Sequence, residues 1–215
     1  MGPRNLSPIG PFTCVAERAF EQVFQDKPKD QIKIVDATAG TGWLGVELKK
    51  LEYTNLYALD ISPEMLKLAK KKKIYNDLIC AALNGQPIPQ IETGQFDALI
   101  CGGSILEGCI GPSAFMEMIR MVRAGGFLCF NIRASDVGMY LDQMKELEKA
   151  DGLLCFNIRE EESGGYQEMM SKLEKAGKWI CWSKQTLPQY AAEDMPKETL
   201  GFVYTPKILL NVKSR

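Results

Sequence analysis

The chain has 215 residues, 46% hydrophobic and 25% charged, with 26 basic against 27 acidic side chains and no histidine. These proportions fit one globular domain and exclude disordered and fibrous classes. A net charge of -1 argues against a duplex-coating protein, and no apolar run approaches the roughly 18 residues of a membrane span.

The opening, Met1 to Pro8, lacks the apolar core of a secretory signal. The expectation is a soluble cytoplasmic protein with a small-molecule substrate and neither nucleic acid nor membrane as partner. Residues 13–25 place Val15, Ala16, Ala19, Phe20, Val23 and Phe24 at helical spacing. Pro28 and its neighbours end that helix, and residues 31–36 read as a strand. A glycine turn, Ala39-Gly-Thr-Gly42, leads into an amphipathic helix reaching Leu51.

Residues 56–60 form a second predicted strand. Ser62-Pro-Glu-Met65 then carries the signals of a helix start: Ser62 as N-cap, Pro63 in the first turn, Glu64 near the positive end of the dipole. Lys70 to Lys73 suit its other end and read as a solvated basic face. Further strands are expected at 77–81, 96–101 and 127–132, with a helix from Pro112 to about Arg123 that Gly125-Gly126 should stop. Strands alternating with helices at this spacing predict parallel βαβ units. The fold class is thus α/β: a doubly wound, Rossmann-like sheet, mostly parallel with an antiparallel edge strand.

Residues 127–152 and 153–178 repeat each other at a constant offset of 26, with 13 identical positions that include Leu-Cys-Phe-Asn-Ile-Arg in both copies. Each copy reads as strand then helix, a duplicated βα unit. Within one domain over 1–215, the expected order is an N-terminal helix over 1–29, a ligand-binding half over 30–126, the tandem repeat over 127–178 and a strand pair over 179–215. That pair, 179–183 and 201–212, is expected to be antiparallel.

The absence of histidine removes Ser-His-Asp and Cys-His catalysis. The seven cysteines are odd in number and lack any C-x-x-C pair, so they read as reduced core thiols, with no metal expected. The informative segment is Ile34-Val-Asp-Ala-Thr-Ala-Gly-Thr-Gly-Trp-Leu-Gly45, a strand, glycine turn and helix start on whose backbone a ligand can lie. Gly40, Gly42 and Gly45 satisfy G-x-G-x-x-G, a string that also occurs where glycine serves packing alone. Asp36, facing the turn, would repel a pyrophosphate and attract an ammonium group. S-adenosylmethionine (SAM) has that ammonium and no phosphate. Asp60, ending the second strand, is placed to accept ribose hydroxyls; capping the next helix is its other reading.

Asp36-x-x-x-Gly40-x-Gly42, Leu59-Asp-Ile-Ser-Pro-Glu-Met65, Phe96-Asp-Ala-Leu-Ile-Cys101 and Arg123-Ala-Gly-Gly-Phe127 resemble the ordered motifs of class I SAM-dependent methyltransferases. The resemblance is nearest to the methyltransferase-like proteins named after the Williams–Beuren syndrome region. It implies SAM as cofactor and a seven-stranded sheet with an antiparallel last strand. It also implies that Asp36, Ala37, Gly40, Thr41 and Gly42 hold the methionine end and Asp60 the ribose. Ile61 and Met65 would face the adenine, Cys80, Ala81 and Ala82 its edge, and Cys101 and Gly102 would form the floor below the sulfonium. Three features depart from the family. Ala82 stands where relatives carry an acid, which forfeits about 1 kcal/mol of hydrogen bonding, roughly fivefold in affinity. Met1 to Phe12 contain neither Tyr nor Asp, and Glu107 and Cys109 stand where relatives tend to carry His.

The implied function is in-line methyl transfer to a small molecule or exposed nucleophile, with Glu107 as candidate base or, alternatively, an ordinary surface carboxylate. The other readings are a SAM-binding regulatory module with weak or no turnover and an NAD(P)-dependent oxidoreductase. The repeat lies where family members build acceptor contacts, so an altered acceptor pocket is expected.

Overall fold

The computed structural model describes residues 16, 17, 20, 21, 23–105, 109–132, 153–159, 179–188 and 198–206, with the backbone alone from residue 131 onward. Among the described residues eight strands form one sheet: β1 Ile34–Ala37, β2 Leu56–Asp60, β3 Asp77–Cys80, β4 Phe96–Ile105, β5 Val122–Ile132, β6 Leu153–Arg159, β7 Trp179–Pro188 and β8 Glu198–Pro206. Their order is β3-β2-β1-β4-β5-β6-β8-β7. Helices α1 (Trp43–Lys50), α2 (Pro63–Lys71) and α3 (Ala114–Met121) connect the first strands, and pairing is parallel from β3 through to β6.

Alternation along the central strands sorts the core onto two faces. Val35, Ala37, Leu99, Leu128 and Phe130 pack with Phe115, Met118 and Met121 of α3. Ile34, Ala98, Ile100, Phe127 and Cys129 pack on the opposite face with Leu44 and Leu48 of α1, Tyr53 and Phe20. The ring of Phe20 meets those of Tyr53 and Phe127 edge-on, with centroids 5.2 and 5.0 Å away. Of the described residues of the predicted first helix, Ala16, Glu17, Phe20, Glu21 and Val23 are helical, while Phe24 and Gln25 already lie in a bend and turn; the rest of 13–22 and Met1 to Phe12 lie outside the described set.

Several boundaries differ from the sequence expectation. Gln31 closes a 3-10 turn, Lys29–Gln31, rather than opening β1. Helix α3 ends at Met121 because Val122 is already extended (φ −96°, ψ 136°). Gly125 and Gly126 therefore lie within β5 and stop no helix. The register against β4 slips between Val122 and Phe127, and a β-carbon on Gly126 would come 2.7 Å from the Asp97 carbonyl oxygen, so glycine is required there by close packing. Helix α2 begins as expected: the Ser62 hydroxyl accepts the Met65 N–H at 3.3 Å, with Pro63 in the first turn.

The strand halves of the repeat lie side by side and parallel. Phe127 pairs with Leu153, Cys129 with Cys155 and Asn131 with Asn157, each at the sequence offset of 26. The halves expected to be helical, 134–152 and 160–178, lie outside the described residues, as do Tyr140, Tyr166, Tyr190 and the expected strand beyond Pro206. Strand β8 runs antiparallel to both β6 and β7. The reversed strand thus stands one place in from the edge. No helix among the described residues is long and apolar enough to cross a membrane.

Candidate functional site

The chain leaves β1 toward β2 on one side, while β4 and β5 continue on the other, so the carboxyl ends of β1 and β4 part at a topological switch point. Such a crevice is where open α/β sheets receive ligands. Thr38 to Gly42 line it from β1, Asp60 and Ile61 from β2, and Cys101 and Gly102 from β4, where Ile100 pairs with Asp36. Ala81 and Ala82, half-buried, follow β3, and the Ala81 N–H donates to the Asp60 carbonyl at 3.1 Å.

The turn is held from the β2 side. Gly40 N–H donates to Asp60 Oδ2 at 2.7 Å, Ser62 N–H to Asp60 Oδ1 at 2.8 Å, and Ala39 N–H to the Leu59 carbonyl at 3.0 Å. Each oxygen of the half-buried Asp60 carboxylate keeps lone-pair capacity for an outside donor. Its contact with the Ser62 N–H means that it also braces the entry to α2. Gly40 has φ +55°, and a β-carbon there would meet nothing within 4 Å. Its backbone opens onto free space. Beside it, Ile61 is 70% and Met65 44% exposed, two large apolar side chains at the lip of the crevice.

The other two glycines of the string face inward. A β-carbon on Gly42 would lie 3.0 Å from the Tyr75 ring and 3.3 Å from Ala69, and one on Gly45 would collide with the Tyr75 hydroxyl. Tyr75 donates that hydroxyl to Asp36 Oδ2 at 2.5 Å. Asp36 is 1% exposed. Burial pushes its pKa up to about 7; the bonds from Tyr75 and from the Gly45 backbone oppose the rise, and the charge of Asp60 adds to it. The expectation that this carboxylate fronts the open turn is therefore corrected. It lies beneath the turn because β1 is an inner strand and Tyr75 covers its end.

Thr38 takes φ 62°, unusual for a β-branched residue, and its Oγ1 lies 3.4 Å from Cys101 Sγ. Burial pushes the Cys101 thiol up to about 12, with the Thr38 contact opposing and the Asp36 charge adding. Cys101 is thus a neutral, fully buried thiol. Glu107 lies outside the described residues. Sequence reasoning missed Tyr75 altogether; the one available signal was a glycine, Gly45, inside a helix with no turn to justify it.

Residues 34–126 match the family described as "Methyltransferase domain". The match runs from β1 to the start of β5, the part of the chain that builds the crevice. The chain is similar to human methyltransferase-like protein 27, with 29% identity over 119 residues, 55% of this chain and 48% of that protein. It is also similar to the biotin biosynthesis bifunctional protein BioHC of Saccharophagus degradans, with 32% identity over 109 residues, 48% of this chain and 19% of that one. The chain thus spans about half of the first relative and about a fifth of the second. Among solved structures, the MccD protein shares the fold at TM-score 0.53 and 11% identity, covering 94% of this chain and all of that one (100%). A Haloferax volcanii methyltransferase solved with its Trm112 activator does so at TM-score 0.50 and 13% identity, covering 91% and 90%.

Bare backbone at Gly40, the Asp60 carboxylate bonded to it, and the exposed apolar side chains of Ile61 and Met65 thus stand together at the carboxyl ends of β1 and β2.

Proposed function

We propose that the chain binds SAM across the β1–β4 crevice and transfers its methyl group to a small molecule or other exposed nucleophile. The observation that carries this reading is the Asp60 carboxylate, fixed by two backbone donors beside the open face of Gly40. The bound cofactor would supply an activated sulfonium methyl group. The chain's part is to hold and orient: Asp60 accepts the ribose hydroxyls, and the backbone of Ala37 and of Gly40 to Gly42, with Thr41, receives the methionine end. Ile61 and Met65 cover the adenine face, Ala81 and Ala82 its edge, while Cys101 and Gly102 floor the reacting centre. Holding acceptor and methyl in line at contact distance supplies much of the rate in such a displacement, so a chain without histidine can perform it. Glu107 remains the candidate base for an acceptor that must lose a proton. The tandem repeat, on the acceptor side, would reshape that pocket.

A nicotinamide dinucleotide fits less well. The second glycine of its fingerprint must open toward the pyrophosphate, whereas Gly42 faces Tyr75 and Ala69. Ala82, which offers no side-chain acceptor to the adenine amino group, favours a second reading: a SAM-binding module without turnover.

Titration calorimetry with SAM, its demethylated product S-adenosylhomocysteine and NADH separates these readings. Uptake of both adenosyl ligands is expected, weakened at least tenfold in Asp60→Asn, whose amide cannot accept at both oxygens. NADH uptake without a SAM signal overturns the proposal. SAM binding without methyl consumption across an acceptor panel selects the module.

A further inference from the structure

We propose that Tyr75, a residue the site description does not place against any ligand, is a positioning residue that holds the glycine turn in its ligand-receiving form through its bond to Asp36. The inference rests on the proposed function.

The geometry is specific. The Tyr75 ring enters a slot between α1 and α2 that exists because residues 42 and 45 lack side chains and residue 69 is alanine. Within that slot its hydroxyl reaches Asp36 Oδ2 at 2.5 Å, and the Gly45 backbone N–H donates toward both groups. Asp36 in turn lies three residues before the Ala39–Gly42 turn, whose Gly40 is pinned by Asp60. The turn is therefore held at two points: from β2 by Asp60 and from below by the Asp36–Tyr75 pair. Gly42, at φ +84°, is required by its backbone, but Gly45 is not, and a smaller side chain at 75 with a β-carbon at 45 would fill the gap without a large aromatic residue.

The pair also gives the turn a dependence on protonation. Asp36 has a pKa of about 7, and a hydrogen bond to the carboxylate favours that charged form. The charged or titratable groups facing it among the described residues are Asp60 from β2, Cys101 from β4 and Tyr75 itself. Burial first, then the Asp36 charge, raise the Tyr75 hydroxyl above its usual range. The buried thiol, at about 12, also stays neutral near pH 7. Asp36 is thus the group of this cluster that changes charge there. Its anion would lie under the ammonium end of an adenosyl amino acid, so uptake should strengthen as it ionises. Loss of the Tyr75 hydroxyl removes support from the anion and moves that ionisation to higher pH.

The test is calorimetric uptake of S-adenosylhomocysteine from pH 5.5 to 9 by the wild-type chain, Tyr75→Phe and Asp36→Asn. Phenylalanine keeps the ring in its slot. The expected result is about fivefold weaker uptake by Tyr75→Phe at pH 7, with the ratio to wild type returning toward one by pH 9. That corresponds to an upward shift of about one pH unit in the midpoint. Asp36→Asn should lose the component of the profile near pH 7, and it provides the test if the tyrosine variant does not fold. A Tyr75→Phe ratio that stays constant with pH, or an Asp36→Asn profile identical to wild type, overturns the inference while leaving SAM binding in place. No uptake by the wild-type chain at any pH overturns both the inference and the proposed function.

Discussion

Thr38 Oγ1 lies 3.4 Å from Cys101 Sγ, so the residue that follows β1 touches the middle of β4 where the pairing of the two strands ends. The contact is made from a left-handed backbone, φ 62°, that costs an L-residue roughly 1–2 kcal/mol. Strain of this kind persists where surrounding structure fixes it, commonly at ligand sites.

Thr38→Gly should therefore raise stability by about 1 kcal/mol, the relief of strain exceeding the added chain entropy of glycine. Thr38→Val, which keeps the branch and loses the hydroxyl, should not. Urea midpoints of the two variants check this, and a destabilised glycine variant would contradict it.

Gly45→Ala should cost about 2 kcal/mol, since the new methyl collides with the Tyr75 hydroxyl. In a Tyr75→Ala background the same change should become neutral or favourable, because alanine is the better helix former inside α1. A double-mutant cycle by urea unfolding measures that coupling.

Asp97, buried near the amino end of β4, accepts from Lys27 Nζ at 2.6 Å, Arg123 Nε at 2.7 Å and the Lys33 N–H at 2.8 Å. Burial alone would raise its pKa; the bonds from Lys27, Arg123 and Lys33 outweigh it and hold the group below the usual carboxylate value. Its contribution is therefore present above the unfolded-state value of 3.8 and is lost as pH falls through the lower folded-state value. Asp97→Asn should lose about 2 kcal/mol at pH 7, and the gap to wild type should close in acid. Unfolding curves at pH 7 and pH 3 suffice to see it.

Much of the fold was legible because its signals are local. Ser62-Pro63 announced α2, and the bare apolar run at 96–101 announced a buried parallel strand. The strand start at Val122 was not legible, since only the close approach of Gly126 to the Asp97 carbonyl explains why two glycines belong to a strand. The site was legible as a turn with Asp60 beside it. What could not be read was which way Asp36 points, because that depends on Tyr75, 39 residues away in sequence.

The equal offset along the β5–β6 pairing predicts that removing 127–152 or 153–178 leaves a chain able to fold, since either deletion rejoins equivalent backbone. Circular dichroism and a cooperative melt of both deletions test it. Failure of both would argue against a duplicated unit.

With β6 interposed, β8 hydrogen-bonds to β6 and not to β5. The β8–β7 ribbon is set back by one inter-strand distance, about 4.8 Å. A connection from this ribbon to the β1–β4 crevice must therefore cross one strand spacing more than in a sheet where β5 meets the reversed strand directly.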